Sequence, residues 1–254
     1  MRAKDVLSSL LGYSPVVIDK TVDTIKYGDP DRLVQKVAFC FTATPYVLAQ
    51  AKKWGADVIV THEPTYYDHF DNFVPNALTH SKRKAVEVCG AVIMRYHDHM
   101  HACVPDLIHK AFIDKTGLVG EYDGSRMMRL SESVTVKDIA NMLKTAFELD
   151  KVAVIGDARA NVRTLALCLG ACGDACQIAA LEGADAVIAG EISEWRTGEQ
   201  FRDMAQLGMG KAVLTIGHCV SEKAGMQALC DRFAAEHTQT ECRYIDCGDI
   251  YTYI

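Results

Sequence analysis

Two stretches of this chain, VAFCFTAT…GADVIVTHE (37–63) and LALCLGAC…GADAVIAGE (165–191), align without a gap at an offset of 128, with eight of 27 pairs identical. The identities include Gly55/Gly183, Ala56/Ala184, Asp57/Asp185 and Glu63/Glu191. At an offset of 121, AVIMRYHDHMH (91–101) lies on AVLTIGHCVSE (212–222), pairing His97 with His218 and His101 with Glu222. One unit of strand–helix–strand–helix–strand therefore occurs twice. The expectation is an α/β protein of two similar, interleaved lobes from an internal duplication. Lobe one takes about residues 1–125 plus 216–254, and lobe two about 126–215. The polar stretch YDGSR (122–126) marks the boundary.

The local patterns agree. KVAFCF, DVIVT, AVIMRY, KVAVIG, TLALCL, DAVIAG and KAVLTI are short β-branched apolar runs between turn signals, the pattern of buried strands. YVLAQAKKW, THSKRKAVEVC, KDIANMLKTAFE, CQIAALE and EQFRDMAQL carry helical spacing. TVKD (135–138) predicts a capping box, and MRAKDVLSSLLGY predicts a short amphipathic helix using Val6, Leu7, Leu10 and Leu11. Strands alternating with helices imply layers with helices on both faces of a mainly parallel sheet.

Charge and composition narrow the function. A net charge of −6 with no basic run argues against nucleic acid, and no stretch reaches the ~20 apolar residues of a membrane span. Without an apolar leader at the start, the expected location is the cytoplasm. Ten cysteines occur without a C-x-x-C pair. CLGACGDAC sets Cys168, Cys172 and Cys176 at intervals of four, with Cys168 within a strand. The reading preferred here is that they are buried small hydrophobes.

The polar groups recur beyond the carboxyl ends of the predicted strands, where open α/β sheets bind ligands. VIVTHEP ends a strand in His62 and Glu63, because proline cannot continue a ladder. HDHMH supplies His97 and His101, and GHCVSE supplies His218 and Glu222, each pair four apart and so on one face of a helical turn. Imidazoles and carboxylates gathered in an apolar cleft cost free energy that a cation removes. Nitrogen and oxygen donors suit Zn, Mn, Fe, Co or Ni, and more than four donors suggest two divalent ions.

At these residues the chain resembles the NIF-three-like proteins, also called dinuclear-metal-centre hexameric proteins, some of which carry the name GTP cyclohydrolase I type two. VIVTHEP matches the family's His-His-Pro run with Glu63 in place of the second His. YHDHMH stands where the family has His-Thr-Asn-Leu-Asp, with His101 at the Asp position. GHCVSE fits Gly-His-x-x-x-Glu, and AGEISEW resembles the family's Thr-Gly-Asp/Glu run. The resemblance implies metal ligands His62, Glu63, His101, His218 and Glu222, and a homo-hexamer of two-lobed subunits. The two departures are reciprocal, so three imidazoles and two carboxylates remain.

The function this implies is a metal-dependent hydrolase acting on a nucleotide-like or phosphoester substrate. His97 and Glu191 are the candidate proton shuttles, and Tyr66 and Tyr67 are candidates to stack on a ring-bearing substrate. The alternative is a non-enzymatic metal-handling or partner-binding hexamer.

Overall fold

The apolar runs read as strands pair in two separate sheets. The computed structural model describes residues 1–252 and 254. Its first part contains α1 (Ala3–Leu11), β1 (Ile25–Tyr27), β2 (Lys36–Cys40), α2 (Pro45–Trp54), β3 (Val58–Thr61), α3 (Ala77–Cys89), β4 (Val92–Arg95) and α4 (Asp98–His101). Next come α5 (Leu107–Thr116), β5 (Gly120–Tyr122), β6 (Met127–Thr135), α6 (Val136–Phe147), β7 (Ala153–Ile155), β8 (Asn161–Ala171) and α7 (Ala175–Leu181). The chain finishes with β9 (Ala186–Glu191), α8 (Glu199–Gln206), β10 (Ala212–Thr215), α9 (His218–Glu236) and β11 (Glu241–Tyr244).

Two units result, one of Met1–Leu107 with Gly225–Ile254 and one of Ile108–Ala224. The first holds a five-stranded sheet of order β1-β4-β3-β2-β11, parallel except for β1. The second holds a six-stranded sheet of order β5-β6-β8-β9-β10-β7, in which β8, β9 and β10 are parallel. The strand–helix–strand–helix–strand unit appears once in each, as β2-α2-β3-α3-β4 and as β8-α7-β9-α8-β10. YDGSR, placed at the lobe boundary from sequence, is the β5–β6 hairpin turn inside the second unit. There Asp123 Oδ1 accepts the amides of Ser125, Arg126 and Met127.

The shared Gly-Ala-Asp triplet has a structural cause. Gly55 and Gly183 take positive φ, +80° and +120°, where an L side chain is strained. Ala56 and Ala184 are buried. Asp57 Oδ2 accepts the amides of Gln35 and Lys36 at 2.9 and 3.1 Å, and Asp185 Oδ2 accepts those of Arg163 and Thr164 at 2.9 Å each. Each aspartate thereby satisfies backbone donors just before the parallel pairing of β2 with β3 and of β8 with β9 begins. These identities fix strand register and carry no chemistry.

The strands are buried on both faces, as parallel strands between helices must be; Val58, Ile59, Val60 and Thr61 are all inaccessible. Helix α2 starts at Pro45 behind Thr44, whose hydroxyl accepts the Val47 amide at 3.1 Å. TVKD caps α6, with Thr135 and Asp138 exchanging bonds. The N-terminal helix buries Ala3, Val6 and Leu10. No helix among the described residues is long and apolar enough to cross a membrane.

Candidate metal centre

Beyond the carboxyl ends of β3 and β4, proline and a short helical turn gather three histidines. The amides of His62 and Glu63 both donate to Phe41 O, at 3.0 and 2.8 Å, so the chain leaves β3 in a fixed direction. Past β4, Asp23 from a distant loop caps α4. Its Oδ1 accepts the His97 and Asp98 amides at 2.5 and 3.1 Å, and its Oδ2 accepts the His99 amide at 2.8 Å. His97 and His101, four apart, then sit on one face of that turn. The ring centroids of His62, His97 and His101 lie 4.6 to 5.1 Å apart, and one donor atom of each falls within 4.8 Å of the others.

The tautomers are set from behind. Nδ1 of His97 bonds Asp98 Oδ1 at 2.8 Å, Nδ1 of His101 bonds Asp106 Oδ2 at 2.9 Å, and Nδ1 of buried His62 bonds Tyr96 O at 3.3 Å. Oxygen at each Nδ1 draws the proton there and leaves Nε2 as the donor lone pair, the arrangement of metal-ligating histidines. Burial, with His62 and His101 alongside, pulls the His97 imidazole down to about 4 against the pull of Asp98, so it is neutral at pH 7. Burial pushes the Asp98 carboxyl upward. Hydrogen bonds from His97, the Val22 amide and Thr21 overcome that and hold it at about 2. The donor set fits a borderline transition metal at the usual imidazole distance of about 2.1 Å after a small closing of the rings.

Glu63 stands beside this cluster, with Oε2 3.6 Å from Nη2 of Arg95 and Oε1 3.9 Å from Nε2 of His97. Arg95 is fully buried, and its Nε donates to His62 O at 2.8 Å while Nη1 donates to His69 O. A guanidinium tied to two carbonyls compensates the Glu63 carboxylate. His99, in the same HDHMH run, turns away to bond buried Asp23 at 2.7 Å and takes no part in the cluster. Tyr66 packs edge-on against Phe73, whereas Tyr67 is exposed with Lys82 4.6 Å from its ring centroid.

In the second unit, His218 and Glu222 share a turn of α9, with Nε2 and Oε2 3.1 Å apart and Glu222 buried. Glu191, at the tip of β9, brings Oε1 to 3.8 Å from Nδ1 of His218. Backbone makes the room. A Cβ on Gly170 would lie 2.2 Å from Glu222 Oε1, and one on Gly190 would lie 2.7 Å from Ser221 Oγ. Ser221 Oγ accepts the Gly170 amide at 2.9 Å and donates to His218 O at 2.7 Å, fixing the start of α9 against β8.

Both units thus place imidazoles and carboxylates at the ends of their parallel strands. Sequence spacing named His62, Glu63, His97 and His101 in one, and Glu191, His218 and Glu222 in the other. It gave His97 a proton-shuttle role, and the fold sets it beside His62 and His101. It did not find Asp23 or Asp106, which accept from Nδ1 of His99 and of His101.

Two α/β units with histidines and carboxylates at their strand ends define an α/β protein whose side-chain clusters could hold a metal ion. The chain belongs to the Duf34/NIF3 (NGG1p interacting factor 3) family, whose model matches residues 1–248. A GTP cyclohydrolase 1 type 2 homolog from Clostridium perfringens is 24% identical over 236 residues, covering 87% of each chain. Among solved structures, Staphylococcus aureus protein SA1388 is similar, with TM-score 0.81 and 16% identity over 100% of this chain and 99% of that one. A Bacillus cereus protein related to NIF3 gives TM-score 0.77 and 14% identity over 100% and 99%.

Proposed function

We propose that this chain is a metal-dependent hydrolase whose ligands are His62, Glu63 and His101 with His218 and Glu222, holding two divalent transition-metal ions. The observation that carries the reading is that His62 and His101, with His97 packed against both, are each held at Nδ1 by an oxygen. The chemistry such ions supply when bound is activation of water and polarisation of a carbonyl, imine or phosphoryl oxygen. The chain's own part is to orient the rings through Asp98, Asp106 and the Tyr96 carbonyl. Arg95, 3.6 Å from Glu63, offsets its charge beside them. Glu191, the most exposed carboxylate of its cluster, accepts or delivers a proton on the open side.

The name of the Clostridium perfringens relative supports a purine nucleotide as substrate, opened by hydrolysis at its imidazole ring. The assembly proposed is a homo-hexamer in the cytoplasm. The test is turnover of GTP and of a phosphodiester by metal-loaded wild type and by His101→Ala. Hydrolysis of either substrate that falls at least a hundredfold in the variant supports the reading. No turnover of either by fully loaded protein contradicts it. One observation favours the second reading, metal handling without catalysis. His62, His97, His101 and Glu63 together make four donors, enough to saturate a tetrahedral ion. A fully loaded site that exchanges no ligand with added azide would support that alternative.

A further inference from the structure

The second unit contains a set of donors that the histidine clusters do not use. Cys168 in β8, Cys172 just beyond it and Cys176 in α7 each place a sulfur within 4.8 Å of the other two. Cys172 Sγ and Cys176 Sγ are 3.2 Å apart. Cys168 and Cys176 are buried and Cys172 is half-buried. In an uninterrupted strand, residues four apart lie about 13 Å from each other, so Cys168 and Cys172 should never meet.

Two departures from regular structure bring them together. The pairing of β8 with β9 runs Cys168 to Ala189 and then Ala171 to Glu191, an extra residue in β8 that bends the strand. Gly173, at φ +54°, then reverses the chain so that the Ala175 amide bonds Cys172 O at 3.0 Å. Asp174 anchors the turn through Arg196 at 2.7 Å. The reading of these cysteines as separate core fillers is therefore replaced by one of convergence.

We propose that Cys168, Cys172 and Cys176 form a thiolate site for a thiophilic d10 cation, Zn2+, separate from the imidazole clusters. Three sulfurs about 2.3 Å from one Zn2+ stand roughly 3.8 Å from each other, between the 3.2 Å of Cys172–Cys176 and the 4.8 Å that bounds all three. A disulfide would use only two of the three sulfurs and leave the third pressed against it. The charge also suits a dication: three thiolates and Zn2+ leave one negative charge, which the Arg126 guanidinium, acting on Cys168 and Cys172, offsets.

The test uses the full chain, stripped of metal and loaded with Co2+ for spectroscopy or Zn2+ for protection. Co2+ is expected to give a near-ultraviolet thiolate-to-metal charge-transfer band that Cys172→Ser loses and His101→Ala keeps. Zn2+ is expected to slow alkylation of Cys168, Cys172 and Cys176 together, on the order of tenfold or more. Cys172→Ala serves as a second variant, and the wild-type spectrum stands without either. Absence of the wild-type band, its survival in both Cys172 variants, or an unchanged alkylation rate for Cys172 with Zn2+ overturns the proposal. So does a Cys172–Cys176 disulfide in protein that takes up no Zn2+ after reduction. Loss of turnover or of imidazole-bound metal in His101→Ala leaves this site intact, so the two accounts fail separately.

Discussion

Replacing Asp106 tests the tautomer argument where it is least entangled with folding. Asp106 Oδ2 holds Nδ1 of His101 at 2.9 Å, whereas Asp98 holds His97 and also the Thr21 hydroxyl and Val22 amide, so its loss would loosen a loop. A charge-assisted bond of this kind is worth about 1.5–3 kcal/mol, and carboxylates behind ligating histidines typically contribute 10- to 100-fold in metal affinity. Asp106→Asn keeps an acceptor but loses the charge that raises the basicity of the ring, so affinity should fall about tenfold, or ~1.4 kcal/mol. Asp106→Ala also frees the ring to rotate, and the fall should approach a hundredfold. The assay is competition for Zn2+ against a chromophoric chelator at fixed pH, in a Cys172→Ser background, with exposed Asp114→Asn as control. Equal affinities for wild type and both Asp106 variants, in folded protein, would refute the claim that His101 donates through Nε2.

Three further outcomes follow from the geometry. Gly170→Ala places a Cβ at φ +68°, 2.2 Å from Glu222 Oε1, and should cost about 1–3 kcal/mol in thermal or urea unfolding, with Glu222 displaced. Asp185→Ala strips the acceptor from the Arg163 and Thr164 amides and should destabilise by about 1–3 kcal/mol, an effect chemical denaturation reads directly. Burial lowers the Lys82 ammonium below its usual 10.5 despite Asp71 nearby. The unfolded chain therefore holds the extra proton between the two values, so stability from this group rises as pH climbs through that window. Urea midpoints across alkaline pH should show that rise in wild type and lose it in Lys82→Met.

What could be read from the sequence was whatever depends on neighbours along the chain. His218 and Glu222 declared themselves by a spacing of four, and His62–Glu63 by the proline that ends β3. The doubled Gly-Ala-Asp was legible as a repeat, although its reason, two aspartates holding strand amides, needed the sheet. Strand β6 was missed because MMRLSESVT has exposed polar residues along much of its length, and so lacks the continuous apolar run of the central strands. Asp23 was invisible for another cause. Asp23 reaches α4 from more than 70 residues away, and no local pattern encodes that approach. The cysteine trio was seen and read as buried small hydrophobes, and its convergence needed the bulge at the end of β8 and the turn at Gly173.

The central claim is that imidazoles and carboxylates from both repeats hold catalytic metal. Elemental analysis tests it most directly, on protein purified without chelator or affinity tag, in a Cys172→Ser background so that the thiolate site does not contribute. The account predicts about two equivalents of a transition metal, mostly lost in His101→Ala and again in His218→Ala. Metal-free protein in the parent, or full metal retained in both histidine variants, would contradict it.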